Sequence, residues 1–279
     1  MPSLILEGGT FRPIFSAGVM DALLDNDIMF PYCIGVSAGI TNGFSYISKQ
    51  KKRNLEILEV YRHDKRYLGK RNFFKCKSIF GLDFVFDELP NKLNIFDQET
   101  FDKYEGTLLV GVTNALTGKS EYLNGMKLDK KCTMLRATCA IPVLFPAIEI
   151  GQGKYFDGGL CDPIPIKKAL EDGNEKHLII LTRPKGFKLE PKRKNAMVAK
   201  IVKGKYPKLV DGLLKRHIKY NETVAICEEL EREGKAIILR PTKEQAIESF
   251  EKDIDKLREG YKNGYDLTME RIEEIKKLF

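Results

Sequence analysis

Two short stretches of this chain carry residue types that acyl-transfer chemistry uses: the serine of Gly35-Val36-Ser37-Ala38-Gly39 and the aspartate of Asp157-Gly158-Gly159. The first stretch stands between an apolar run, Tyr32-Cys33-Ile34-Gly35-Val36, and a helical pattern from Ala38 to about Ser48. A serine on a sharp strand-to-helix turn is presented above a sheet edge, and Gly35 and Gly39 leave room for the strained backbone. The following helix aims its positive end at an oxyanion forming on an attacked carbonyl. A second glycine turn, Glu7-Gly8-Gly9-Thr10-Phe11-Arg12, supplies successive backbone N–H groups at a helix N-terminus, which makes an anion site. It can hold a phosphate or serve Ser37 as an oxyanion hole. A dinucleotide fingerprint is not met, because Thr10 and Pro13 interrupt the G-x-G-x-x-G pattern. Asp157-Gly158-Gly159 alone is an ordinary turn, and gains meaning only from the other two.

A serine nucleophile needs a base, and the chain has three histidines, His63, His177 and His217. His63 lies in a charged, surface-like stretch, His177 begins an apolar strand, and His217 falls in a basic helical segment. None follows a late strand, where a Ser-Asp-His hydrolase keeps its histidine. A Ser37–Asp157 dyad is therefore the expectation. Aspartate is a weak base, with a reference pKa of about 3.9. It accepts a serine proton only within hydrogen-bond reach and partly withdrawn from water.

The elements that must position these groups read as α/β. Leu4-Ile5-Leu6, Tyr32–Val36, Leu108–Asn114, His177–Leu181 and Ala236–Leu239 are short apolar strands, the first two each followed by a tight turn and a helix. Pro13 suits the first position of the first helix. Ser120–Leu123 folds back on the third strand. Glu149-Ile150 and Lys154–Phe156 flank Gly151-Gln152-Gly153 as a hairpin. Cys132–Ala140 reads as a short helix, and 194–233 and 243–279 as mainly helical. Residues 51–105 are charged and aromatic without clean periodicity, and are expected to form helices and loops across the domain. The whole is read as one domain over 1–279: a catalytic core over 1–183 and a basic, mainly helical part over 184–279 packed on it.

The formal charge of +8 is unevenly placed. Residues 183–219 hold 13 Lys or Arg against Glu190 and Asp211, a local balance of 13 − 2 = +11. Such a block favours phospholipid head groups or an anionic membrane surface. Nucleic acid is disfavoured, since no reader motif accompanies the charge. The six cysteines (33, 76, 132, 139, 161 and 227) show no C-x-x-C pairing and no ligand spacing to histidine, so reduced thiols without a zinc site are expected. No apolar run approaches the roughly 18 to 20 residues of a membrane span. The first residues read as a strand and not a signal peptide, making a cytoplasmic protein the expectation.

Taken together, the three motifs in this order resemble the patatin-like phospholipase family. Ala137-Thr138-Cys139-Ala140-Ile141-Pro142-Val143-Leu144-Phe145-Pro146, Val112-Thr113-Asn114 with Thr117-Gly118, and Asp162-Pro163-Ile164-Pro165 also resemble its pattern, over residues 4 to 183. The resemblance implies a three-layer α/β/α sandwich with a mainly parallel sheet, and a Ser-Asp dyad cleaving lipid esters without metal or cofactor. By position, Ser37 is the nucleophile and Asp157 the base. Gly8, Gly9 and Thr10 supply oxyanion N–H groups, and Arg12 takes the place of the family's basic residue. Gly35, Gly39, Gly158 and Gly159 support the turns. The family usually has glycine where Thr10 and Pro13 stand. If position 10 takes a positive φ, threonine there is strained by on the order of 1–3 kcal/mol. The alternative to an esterase is therefore a catalytically weak relative that binds anionic membranes.

Overall fold

The computed structural model describes residues 1–69, 72, 78 and 80–279; Cys76 lies outside them. Its centre is an eight-stranded sheet in the order β5-β6-β3-β2-β1-β7-β8, with β4 also paired to β3. The strands are β1 (Pro2–Leu6), β2 (Tyr32–Val36), β3 (Thr107–Asn114), β4 (Ser120–Asn124), β5 (Ile148–Ile150), β6 (Gly153–Asp157), β7 (Lys176–Ile180) and β8 (Ala236–Leu239). β1, β2, β3, β7 and β8 run parallel, whereas β4, β5 and β6 run antiparallel to their neighbours.

Helices cover both faces, which is why the central strands are apolar throughout and do not alternate. Leu4, Leu6 and Cys33 point toward α1 (Ile14–Asp25) and α2 (Ser37–Ile47), packing with Phe15, Val19, Ile40 and Phe44. Ile5, Ile34 and Ile179 point the other way, onto α7 (Ile166–Glu171) and α9 (Leu209–Arg232), against Ala169, Tyr220 and Cys227. The fold is the expected three-layer α/β/α sandwich. Alternate residues of one strand thus serve two cores, as the period of two requires.

The described residues of 51–105 are more regular than the composition of that stretch suggests. They include α3 (Arg53–Tyr61), a wide-turned helix α4 (Phe84–Leu93) and α5 (Gln98–Asp102). Their apolar side chains divide between a satellite core and a cavity, so no single stripe emerges. α6 (Thr133–Thr138) follows the β3–β4 hairpin, and α8 (Arg193–Val202), α10 (Ile254–Glu270) and α11 (Ile272–Lys276) complete the cover. α10 lies on α1 at near-backbone contact: a Cβ on Gly18 would collide with the Tyr261 carbonyl, and one on Gly264 with that of Phe15. Among the described residues, all five cysteines are free, and no helix is long and apolar enough to cross a membrane.

Candidate active site

The pairing of β3 decides where the two motif residues meet. β2 runs parallel to β3 and ends with Val36 opposite Gly111. β6 runs antiparallel and ends with Asp157 opposite Val112. Because β4 occupies the other edge of β3, β2 and β6 share one edge and arrive from opposite directions at adjacent rungs. Ser37 and Asp157 therefore leave their strands head to head. The meeting point is tight: a Cβ on Gly158 would strike the Gly111 carbonyl oxygen, and one on Gly39 the Glu7 carbonyl oxygen.

Ser37 has φ 53°, the left-handed turn that a strand-to-helix elbow demands and that a side chain adopts only under constraint. Its N–H donates to Thr138 Oγ1 at 2.8 Å, and Thr138 Oγ1 donates onward to the Gly111 carbonyl at 2.6 Å. That relay ties the elbow to β3 from α6. Asp157 is buried, and its carboxylate accepts from Gly159 N–H at 2.8 Å. Burial pushes its pKa up to about 6, while hydrogen bonds from Ser37 and Gly159 and the charge of Arg216 pull the other way. A carboxylate so placed is a stronger base than an exposed aspartate. Cys139 also touches Ser37, but burial pushes that thiol up to about 12, so it stays protonated.

The loop after β1 presses on the serine: a Cβ on Gly8 would lie 3.0 Å from Ser37 Cβ. Among the described residues, the N–H groups of Gly8, Gly9 and Thr10 have no hydrogen-bond partner, whereas Phe11 and Arg12 N–H bond to Ser249 and Gly9 carbonyls. Thr10 takes φ 59°, so the positive angle usually given to glycine is met here by a β-branched residue. Arg12 sits behind the loop and not in the cavity. Its Nε donates to Thr182 Oγ1 at 3.1 Å, its Nη1 to Ser249 Oγ, and its Nη2 to the Gly8 carbonyl at 3.4 Å. Glu7, 3.9 Å from Arg12, accepts from Thr182 N–H at 2.6 Å. Arg12 thus braces the loop by its carbonyl side.

Ser37 opens into a cavity of about 170 Å³ walled by Phe11, Ile14, Phe44, Phe86, Leu89, Leu135 and Phe145, among others. The wall is mainly apolar, as a bound hydrocarbon chain requires. An elbow serine, a buried carboxylate, free amides and a greasy cavity can together support attack on an ester of an apolar acid.

Residues 4–170 match the family model for patatin-like phospholipases. The chain belongs to the patatin-like phospholipase family. A second model, for a domain of unknown function (DUF6363), covers residues 206–279. The chain is 22% identical to uncharacterized protein YjjU of Escherichia coli strain K12, over 94% of this chain and 74% of that one. It is 25% identical to the probable lipid hydrolase 463L of Invertebrate iridescent virus 6, over 63% of this chain and 65% of that one. The fold is similar to that of VipD from Legionella pneumophila, with a TM-score of 0.51 at 15% identity, covering 98% of this chain and 66% of that chain. Membership places this chain among lipid hydrolases.

Two site contributors of this patatin-like chain escaped the sequence reading. Thr138 lay inside a stretch noted only for its likeness to the family, and Arg216, whose Nε donates to the Gly159 carbonyl at 2.7 Å, lay inside the basic block. Only the family order could have flagged Thr138, and no local signal marks Arg216. The histidines are elsewhere. His177 is buried at the opposite end of the sheet with Nδ1 2.7 Å from Ser3 Oγ, burial lowering its pKa to about 4. His63 is exposed on the turn after α3, and His217 lies on α9. Among the described residues none bonds to Ser37 or Asp157. No group of three His, Cys, Asp or Glu there is placed to hold a metal.

Proposed function

We propose that this protein is a serine acyl hydrolase cleaving a carboxylic ester of a lipid, with Ser37 as nucleophile and Asp157 as base. Asp157 takes the Ser37 proton as Oγ adds to the acyl carbonyl. The N–H groups of Gly8, Gly9 and Thr10, joined by that of Ala38 at the start of α2, receive the oxyanion. The tetrahedral intermediate collapses, Asp157 returns its proton to the departing alkoxide, and an acyl-serine remains. A water that gives its proton to Asp157 then releases the fatty acid and restores Ser37. One observation carries this reading: β2 and β6 end on adjacent rungs of β3, so the serine and the buried aspartate face each other beside unpartnered amides.

The cavity supports a lipid acyl chain as the bound group, and the basic block supports an anionic membrane as the place of action. Of the 13 cations in 183–219, only Lys215 forms an ion pair among the described residues, with Asp211 at 2.7 Å. Beside them Met197 and Ile201 on α8, and Leu214 and Ile218 on α9, are 45–62% exposed at helical spacing. Unpaired cations around exposed apolar side chains suit a peripheral membrane face.

The test is a fluorophosphonate probe and a nitrophenyl ester series. Wild-type protein is expected to label at Ser37 and hydrolyse the esters, and Ser37→Ala and Asp157→Ala to do neither. Hydrolysis retained in either variant overturns the dyad. A wild-type serine inert to the probe, with salt-sensitive binding to anionic vesicles, would leave the membrane-binding reading in its place.

A further inference from the structure

We infer that the segment 206–279, which matches the family model for a domain of unknown function, completes the catalytic site, with Arg216 as the positioning residue of the aspartate turn. The inference rests on the Ser37–Asp157 reading. The first two turns of α9 pack against the residues that follow Asp157. Leu209 and Leu213 share a core with Leu160 and Cys161, and a Cβ on Gly212 would lie 3.0 Å from Cys161 Sγ. From the next turn of that helix, Arg216 reaches back and donates Nε to the Gly159 carbonyl at 2.7 Å.

The peptide units explain why that contact matters. The Gly159 N–H holds one Asp157 carboxylate oxygen at 2.8 Å, and Arg216 holds the carbonyl of the same residue. Gly159 is thus anchored on one side and donates on the other, which fixes the carboxylate against rotation. Charge-assisted hydrogen bonds of this kind are about twice as strong as neutral ones. Among the described residues Arg216 forms no ion pair, so its positive charge is left to act on the turn. The same segment reaches the other half of the site: Ser249 accepts Phe11 N–H through its carbonyl at 3.2 Å and Arg12 Nη1 through its hydroxyl. Both the aspartate turn and the oxyanion loop are therefore tied to the chain beyond residue 206.

Electrostatics gives the role a signature that a merely structural residue lacks. The groups facing Asp157 are the Ser37 hydroxyl at the start of α2, the Cys139 thiol after α6, the Gly159 N–H of its own turn, and Arg216 from α9. Of these only Arg216 carries a charge, and it favours the ionised aspartate. Its removal weakens the turn and also raises the pH at which the base becomes available.

The experiment uses the full chain and a water-soluble short-chain nitrophenyl ester, so that membrane affinity plays no part. Arg216→Ala is expected to lower kcat on the order of tenfold or more, to leave KM within about twofold, and to move the acid limb of the rate profile up by about one pH unit. Arg216→Lys, which keeps the charge and a donor, should restore the limb and part of kcat. Lys215→Ala, the exposed neighbour, should behave as wild type. If Arg216→Ala is too unstable to assay, Arg216→Gln, which keeps a donor and loses the charge, decides by the same limb. Wild-type kcat and an unmoved limb in these variants, with Ser37→Ala inactive, would overturn this inference alone. Activity surviving in Ser37→Ala would instead remove the reading on which it stands.

Discussion

Asp157 and Asp162 stand five residues apart, are both pushed up to about 6 by burial, and each faces a hydroxyl, yet only one is a candidate base. Asp162 accepts from the Tyr122 phenol on β4 and is steadied by Lys167 and Lys219. Tyr122 stands in regular strand geometry outside the apolar cavity. Its proton is held more firmly than usual, because burial and the neighbouring Asp162 raise its pKa. Ser37 takes a left-handed turn, lines the cavity and adjoins the N–H groups of Gly8, Gly9 and Thr10, which have no partner among the described residues. A raised carboxylate pKa therefore does not identify a base. The partner's freedom to attack, and somewhere for the resulting charge to go, separate the two pairs.

The largest test of that contrast is substitution of each member. Ser37→Ala and Asp157→Asn should lower kcat on a soluble ester by on the order of 10³–10⁴, the scale at which loss of a nucleophile or its base is felt. Asp162→Asn should stay within about threefold of wild type, since Asn can still accept from Tyr122. Equal damage from Asp162→Asn would break the distinction.

Titration sharpens it. Asp157 must be ionised to take a proton, so the rate should fall about tenfold per pH unit below a pKa of about 6. Asp162→Asn should keep that limb; a displaced limb would mean that Asp162 is coupled to catalysis.

Stability offers a smaller effect of defined sign. For both aspartates the folded pKa lies above the unfolded value of 3.8, so the folded state binds the proton more tightly. The stabilisation is complete below the unfolded pKa and is lost as pH rises through about 6. Asp157→Asn, which mimics the protonated form, should therefore raise stability at pH 8 by on the order of 1–3 kcal/mol, with the gain vanishing toward pH 4. Thermal melts of both variants at the two pH values measure it. A gain that persists at pH 4 would assign the effect to packing and not to the buried charge.

The legibility of the molecule follows the range of its interactions. β1, β2 and β3 read directly from apolar runs because both faces of the sheet are covered, and the elbow read from its glycines because the close approaches at Gly35 and Gly39 exclude a side chain. Ser37 and Asp157 were nameable as a pair from their turn motifs, from the lack of a suitably placed histidine and from family order, but nothing local reveals that β2 and β6 share one edge of β3. Arg216 and Ser249 were out of reach: each acts on a turn more than fifty residues away, Arg216 through the Gly159 carbonyl and Ser249 through its own carbonyl and hydroxyl. The helix Phe84–Leu93 resisted for another reason. Phe86 and Leu89 line the cavity while Phe84 packs in the satellite core, and a segment serving both has no single apolar stripe.

The smallest effect concerns the strained residue that serves one pair and not the other. Thr10, at φ 59°, holds a conformation that costs a β-branched residue on the order of 1–3 kcal/mol, and glycine would adopt it freely. The gain is partly offset by glycine's greater freedom in the unfolded chain, about 0.5–1 kcal/mol. Thr10→Gly should therefore stabilise by about 1 kcal/mol, roughly 2 °C in Tm for a chain of this size. Its effect on kcat should stay within about twofold, because the N–H of position 10 remains where it is. A tenfold loss of kcat with the Tm gain intact would mean that the threonine side chain itself, which lines the cavity beside Ser37, holds the substrate or the loop. The difference between the two aspartates would then lie partly in a residue with no counterpart near Asp162.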